Sequence, residues 1–376
     1  MCGPVSSLSP GALRRTAVGT ARARCCRTIP SAGSGGPPPE LAMAAAGPLV
    51  TALLTAAAAL PARAIDQWTY YGEGGPDRWP TLGYPLCAGQ RQSPINVVTD
   101  RVAVTRLPPI IFRHFDQTPL TLTLANNYHS ATAKMTWEKT PVIENGGLPG
   151  QYEVINFHFH WGEDDFKGSE HTIDGESYPL EMHIVCKNTK YANVSSAVRH
   201  PDGLAVLGVM YEVGDWKGLA LRSLESALQN ITAGGAATAV LRPPRLARLL
   251  PWNTGEFFRY RGSLTTPGCH QAVTWTVFTQ TLRVSASQMS LFRSLRGGPA
   301  PIGANYRPPQ RRYGRTVLLS TESGTSSHQH PHQHQEEEYR LAAVRGRSAA
   351  APPCSPLIAV VVAQLVAIVN GGRWGS

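Results

Sequence analysis

Apolar and polar positions alternate through several short stretches of the chain, the period-two pattern of strands that bury one face. Residues 120–124, 153–161, 181–186, 204–211 and 273–278 carry it with β-branched and aromatic side chains, and Gly- and Pro-bearing loops separate them. Helical spacing is confined to residues 219–229 and 287–295. The predicted fold is mainly β (α+β): one domain built on a large sheet with few short helices.

Composition marks where that domain ends. Of 376 residues, about 64 at the N-terminus and about 60 at the C-terminus lack a core-forming pattern, which leaves a domain at 65–319 of a size that single large domains reach. Residues 1–64 hold six arginines and one glutamate, so half of the formal charge of +10 lies outside the domain and no nucleic-acid partner is called for. Residues 43–64 are Ala-rich, with an apolar run at 48–60 and the small-x-small triplet Ala62-Arg63-Ala64, and are expected to be a secretory signal cleaved after Ala64. Residues 1–42, with Cys2, Cys25 and Cys26, read either as an extension upstream of a start at Met43 or as a transit peptide.

Beyond the domain, residues 320–347 form a polar stretch with His328-Gln329-His330-Pro331-His332-Gln333-His334 and Glu336-Glu337-Glu338, a solvated spacer or a weak metal-binding tract. Residues 348–376 open on Ser348-Ala349-Ala350 and contain the apolar run 357–369. As a helix that run spans about 20 Å, short of the ~30 Å hydrocarbon core, so it is not read as a membrane span. Small residues, a spacer and a short apolar tail match a glycosylphosphatidylinositol (GPI) anchor signal, with Ser348 as the expected attachment site and the region of Ser323 as the alternative.

Candidate chemistry concentrates in Ile155-Asn156-Phe157-His158-Phe159-His160-Trp161-Gly162 and in Glu181-Met182-His183. In a strand His158 and His160 share a face, and a neighbouring strand can set His183 opposite them. They are either packed imidazoles or three neutral nitrogen ligands, and such a set suits Zn²⁺ with a fourth position open for water. Glu181 lies on the His183 face, where it can accept a ring N–H and hold the ligating tautomer. Arg261-Gly262-Ser263-Leu264-Thr265-Thr266-Pro267-Gly268-Cys269 is a polar turn able to bring hydroxyls beside a metal. Asn193-Val194-Ser195 and Asn230-Ile231-Thr232 are N-glycan acceptor sequons.

From Trp68 to Val317 the chain resembles the animal-type α-carbonic anhydrases, most of all the membrane-anchored forms IV and XV. The resemblance rests on Gln92-Ser93-Pro94-Ile95-Asn96, Asn126-Asn127-Tyr128-His129, Phe157 to Gly162, Gly168-Ser169-Glu170-His171, Glu181 to Val185, Pro201 to Leu207 and Gly262 to Pro267. It implies a twisted, mostly antiparallel sheet with zinc at the floor of a conical cleft. His158, His160 and His183 are implied as ligands, with Glu181, Asn156 and Asn305 holding their rings. The implied chemistry is reversible hydration of CO₂ to bicarbonate and a proton by zinc-bound hydroxide. Thr265 would accept a hydrogen bond from that hydroxide and pass its own proton to Glu170. His129 would shuttle the product proton, with Tyr70, Asn126 and Asn127 ordering water. Val185, Val206, Leu264, Thr266 and Trp275 would receive the substrate, and sulfonamides would inhibit.

The resemblance also implies a Cys87–Cys269 disulfide, with Cys186 left unpaired as a small buried hydrophobe, and an enzyme at the extracellular face of the plasma membrane, lipid-anchored or alternatively secreted. A second class, a binding module of the same fold without hydration activity, typically loses ligand histidines, and this chain keeps all three. Several positions depart from the family pattern. Asn156 replaces a glutamine that is one methylene longer, which calls for a backbone adjustment or a bridging water. Tyr128 replaces a glycine, implying either strain or a narrower cleft. Cys186 replaces a histidine, Thr69 stands at the first position of an absent extra bridge, and residues 296–304 form a shortened loop.

Overall fold

The computed structural model describes residues 68–215 and 218–321. The expected leader, the His-rich spacer and the anchor site at Ser348 lie outside the described residues.

The described residues form fifteen strands: β1 (Asn96–Val97), β2 (Ala103–Thr105), β3 (Ile110–Arg113), β4 (Thr121–Asn126), β5 (Ala131–Thr136), β6 (Val142–Asn145), β7 (Tyr152–Trp161) and β8 (Thr172–Ile173), then β9 (Leu180–Asn188), β10 (Leu204–Val213), β11 (Ala237–Ala239), β12 (Phe257–Gly262), β13 (Val273–Phe278), β14 (Leu282–Val284) and β15 (Leu318–Ser320). Thirteen of them form one sheet along the path β11-β4-β5-β7-β9-β10-β13-β12-β15-β2, while β1 and β8 pair separately. Pairing is mostly antiparallel, with β10 parallel to β13 and to β14, and β15 parallel to β2. All five strands expected from alternation are present, and β13 has the expected limits.

The central strands β7, β9, β10 and β13 are covered on both faces, one face lying on the larger apolar core and the other carrying the histidines of β7 and β9 beside a second apolar cluster. Phe157, Phe159, Met182, Ile184, Leu207 and Val209 belong to the larger core. On the opposite face Val206, Met210, Trp275 and Val277 pack with the partly buried Val185 and Leu264. Burying two faces at roughly 25 cal/mol per Å² of apolar surface fixes the register of these strands, since a one-residue slip would exchange the two sets.

Among the described residues three short α-helices border the sheet: α1 (Val194–Ala197), α2 (Glu225–Asn230) and α3 (Ala286–Arg293). For α3, Ser285 forms a capping box with Gln288. The expected helix at 219–229 is corrected: a 3₁₀ turn at Arg222–Leu224 precedes α2, and only the second half is α-helical. The cause is a side chain from another element. Gln288 takes both backbone groups of Gly218, at 2.9 Å from its N–H and 3.0 Å from its carbonyl, and Leu219 is left 56% exposed. The shortened loop at 296–304 is a tight turn in which Gly297 N–H bonds Ala300 at 3.1 Å and Ile302 N–H bonds Leu295 at 2.8 Å.

Candidate active site

Strand parity and register assemble the three histidines. His158 and His160 share a face of β7, and His158 pairs directly with His183 of β9. Their ring centroids lie 5.1 Å (158–160), 5.3 Å (158–183) and 4.6 Å (160–183) apart. One nitrogen from each falls within 4.8 Å of the others.

Hydrogen bonds to the remaining nitrogens decide which ones face inward. The Asn305 carbonyl lies 2.8 Å from His160 Nδ1, so Nδ1 carries the proton and Nε2 keeps its lone pair. His160 Nε2 is buried with no hydrogen-bond partner. Glu181 lies 2.7 Å from His183 Nε2, which leaves Nδ1 of that ring with the lone pair. Asn156 reaches His158 Nδ1 at 3.3 Å. Burial, and for His158 and His160 the nearby charge of His183, hold the pKa values of these rings down, that of His158 at about 3. Three neutral imidazoles, each steadied from behind and one with an orphaned lone pair, fit a divalent cation such as zinc.

Glu181 organises the surroundings. Its two oxygens accept from His183 Nε2 at 2.7 Å, His171 Nδ1 at 2.7 Å, Glu170 N–H at 2.8 Å and His171 N–H at 2.9 Å. Burial alone would raise its pKa, yet the two imidazoles and these bonds bring it well below the usual value. His171, Glu181 and His183 are therefore a hydrogen-bonded group, because His171 Nε2 is itself taken by the Tyr260 hydroxyl at 2.6 Å. Tyr260 in turn contacts Ser93 Oγ at 2.8 Å. That contact needs glycine at 262, where a Cβ would lie 2.0 Å from Ser93 Oγ.

Glu170 is fully buried, and its Oε1 accepts from Arg307 N–H at 2.9 Å. Burial and the neighbouring Glu181 raise its pKa well above the ordinary range, while the Thr265 hydroxyl and Arg307 pull it back. Its Oε2 is buried with no hydrogen-bond partner. A cation among the histidines would add a further force toward the ionised carboxylate. Arg307 binds Gln92 Oε1 at 2.8 Å, Ser93 O at 2.9 Å and Cys87 O at 3.1 Å. Cys87 and Cys269 form a disulfide, fastening the N-terminal segment to the turn that holds Thr265.

The expected apolar wall follows from register. Val185, Val206 and Trp275 are cross-strand neighbours on β9, β10 and β13, and the Trp275 ring stands 4.7 Å from that of His183. Ser263 O accepts from Trp275 Nε1 at 3.1 Å, joining that wall to the turn before Leu264 and Thr266.

His129 stacks on Trp68 at 3.8 Å between ring centroids, a partner with no sequence signal. Tyr128 takes the left-handed conformation, φ 74°, that its glycine-replacing position implied. Its ring covers Gly234 and Gly235, where an added Cβ would lie 2.6 and 2.7 Å from it. Asn126 corrects the water-ordering set: it is 1% exposed, and its amide clamps Ile231 O, Thr232 O and Arg296 O at 3.0 to 3.3 Å. Asn127 shapes the same turn, accepting from His129 N–H at 3.1 Å and Ser130 N–H at 2.7 Å. Tyr70 is partly buried, and its pKa is raised by burial and then by the charge of Glu170. Asn193 and Asn230 are exposed, and Cys186 is a buried free thiol whose pKa is pushed up by burial.

Sequence reasoning passed over His171, Tyr260, Arg307 and Trp68. Only His171 had a signal, its place beside Glu170 in a quoted motif.

A mostly antiparallel sheet that presents three neutral imidazoles, two buried and one partly buried, beside a hydrocarbon wall defines a class, a mononuclear metal enzyme for a small uncharged substrate. The eukaryotic-type carbonic anhydrase family model matches residues 74–321. Mouse carbonic anhydrase 15 is 36% identical over 278 residues, 69% of this chain and 85% of the mouse protein. A putative carbonic anhydrase 3 of Caenorhabditis elegans is 40% identical over 260 residues, 67% of this chain and 96% of the worm protein. The chain belongs to the eukaryotic-type carbonic anhydrase family, a family of zinc-dependent carbonate dehydratases, and is an enzyme of that class.

Proposed function

We propose that the chain hydrates CO₂ reversibly to bicarbonate and a proton, with Zn²⁺ held by His158, His160 and His183, at the extracellular face of a membrane. The observation that carries this reading is the tautomer pattern, in which Asn305, Glu181 and Asn156 engage the outer nitrogens and leave one lone pair per ring for a shared cation. Zinc bound there supplies a Lewis acid that lowers the pKa of water to about 7, the value known for carbonic anhydrases.

The remaining work falls to side chains. Glu170, ionised, accepts the Thr265 proton, so the Thr265 oxygen can only accept from the reacting water and holds a lone pair of that water toward carbon. Val206, Trp275 and Leu264 offer CO₂ a surface without ions, matched to a substrate that has no charge to pair. The proton released leaves through His129, an imidazole being the side chain suited to taking up and handing on a proton.

An oxidising compartment is supported by the Cys87–Cys269 bridge and suits the two exposed sequons. Attachment through a lipid at Ser348 rests on the C-terminal sequence alone, with secretion as the alternative. Release from cells by a phosphatidylinositol-specific phospholipase is the expected outcome for the anchored form. For the chemistry, one zinc per chain and sulfonamide-sensitive CO₂ hydration by stopped flow are expected; bound zinc without such hydration would refute the reading.

A further inference from the structure

On the far side of the turn that carries Thr265 lies a second cavity of about 420 Å³, whose polar lining is Arg91, Arg199, His200, His270 and Gln271. It shares none of the residues assigned above to metal, substrate or proton transfer. Among the described residues neither guanidinium enters an ion pair. The one acid of the adjoining turn, Asp202, is absent from the lining, and its carboxylate is taken by the Tyr191 hydroxyl at 2.7 Å. Gln271 gives its side-chain oxygen to Arg91 N–H at 2.5 Å, so its remaining polar group is an NH₂ donor. The lining thus offers two guanidinium groups, the Gln271 NH₂ and at least one ring N–H from each histidine as donors, with no carboxylate among them.

Positive charge continues past the rim. Arg315 has its pKa lowered by burial and then by the charges of Arg91 and Arg312. Its guanidinium hydrogen-bonds backbone carbonyls, those of Arg312 at 2.9 Å, Arg311 at 2.9 Å and Arg261 at 3.2 Å, and lies over the Tyr260 ring at 5.7 Å, with no carboxylate among these partners. Guanidinium groups gathered without carboxylates repel one another, and a bound anion removes that repulsion. Their planar forks match tetrahedral oxyanions better than monatomic ions. The cavity falls within the range of ~300–1,000 Å³ usual for small-molecule sites.

We infer that this cavity is a second ligand site that takes a doubly charged oxyanion group, phosphate or sulfate, between Arg91 and Arg199 with donors from His200, His270 and Gln271. Its occupant would also bear on the Thr265 turn, because the His270 carbonyl accepts from Leu264 N–H at 3.0 Å.

Titration of the full chain with inorganic phosphate, followed by NMR of the histidine ring protons, tests this. Saturable shifts are expected at His200 and His270 with His114 unmoved, and the double variant Arg91→Gln, Arg199→Gln should weaken binding at least tenfold. Both side chains are exposed, so unchanged thermal unfolding of that variant in phosphate-free buffer is expected to certify its fold. Glycerol 2-phosphate provides the second arm: shifts at the same rings assign the site to a phosphoryl group on a larger molecule, and shifts with inorganic phosphate alone assign it to the free anion. Sodium chloride of matched ionic strength producing the same shifts, or a double variant that binds phosphate as tightly as the parent, overturns the proposal. None of these readouts depends on zinc or on hydration activity.

Discussion

Asn156 is where a single side chain weakens an otherwise well-supported centre. The other two outer-nitrogen contacts are 2.7 and 2.8 Å, whereas Asn156 stands 3.3 Å from His158 Nδ1. Asn156→Gln restores the missing methylene, and zinc affinity measured by chelator competition is expected to rise about tenfold, the lower end of what such supporting groups control. Unchanged or weaker affinity would show that the long contact is already sufficient. Glu181→Ala is the opposite case, since it orphans four buried donors. It should cost roughly 3–5 kcal/mol in urea unfolding and lower zinc affinity 10–100-fold. A loss below 1 kcal/mol would contradict the role given to Glu181. The ligands were legible because parity within one strand and adjacency of a second suffice to bring three side chains together. His171–Tyr260 and Trp68–His129 were not, because residues 89 and 61 positions apart meet only after long-range pairing.

At the scale of elements, the Asn156 contact follows from an irregularity in β7. Val154 pairs with Cys186 but Asn156 with Val185, so Ile155 is an extra residue and the strand is bulged beside Asn156. The shorter side chain of Asn156 therefore sits where the strand is irregular. Strands with clean alternation were readable from sequence, while β12 was not. Arg259 sits buried in it, bonding Gly146 O at 2.7 Å and Thr276 Oγ1 at 3.0 Å, and a charged residue at an inward position hides the pattern. Helix α3 was readable from its apolar spacing over 287–295, and its start is fixed by a cap, in which Ser285 and Gln288 satisfy each other's backbone N–H groups. Ser285→Ala is expected to lower stability by about 1 kcal/mol without changing hydration kinetics, since α3 contributes no group to the assigned site. A midpoint of denaturation equal to the parent's would remove the cap from the account.

For the whole molecule, the burial of neutral histidines ties stability to pH. In the metal-free protein His158, His160 and His183 have folded pKa values below the ordinary 6.5, that of His158 near 3, because burial penalises the charged rings. Unfolding lets them bind protons, so their contribution is fully present above about pH 6.5 and is lost as pH falls through the window down to about 3. Glu170 opposes this: its folded pKa is raised, so its contribution is present at low pH and is lost as pH rises above 4.5. Three rings outweigh one carboxylate, and between pH 6.5 and 4.5 the net sign is loss of stability on acidification, at a slope of about 1.4 kcal/mol per pH unit for each net proton taken up. Zinc steepens the dependence, because the ligating nitrogens must be free of protons to hold it. Urea unfolding of chelator-treated protein across this window is expected to show the midpoint falling with pH, and His158→Gln should flatten the slope. A metal-free midpoint that stays level or rises on acidification would mean that the three rings are not held neutral by burial, and the tautomer argument for the metal site would lose its footing.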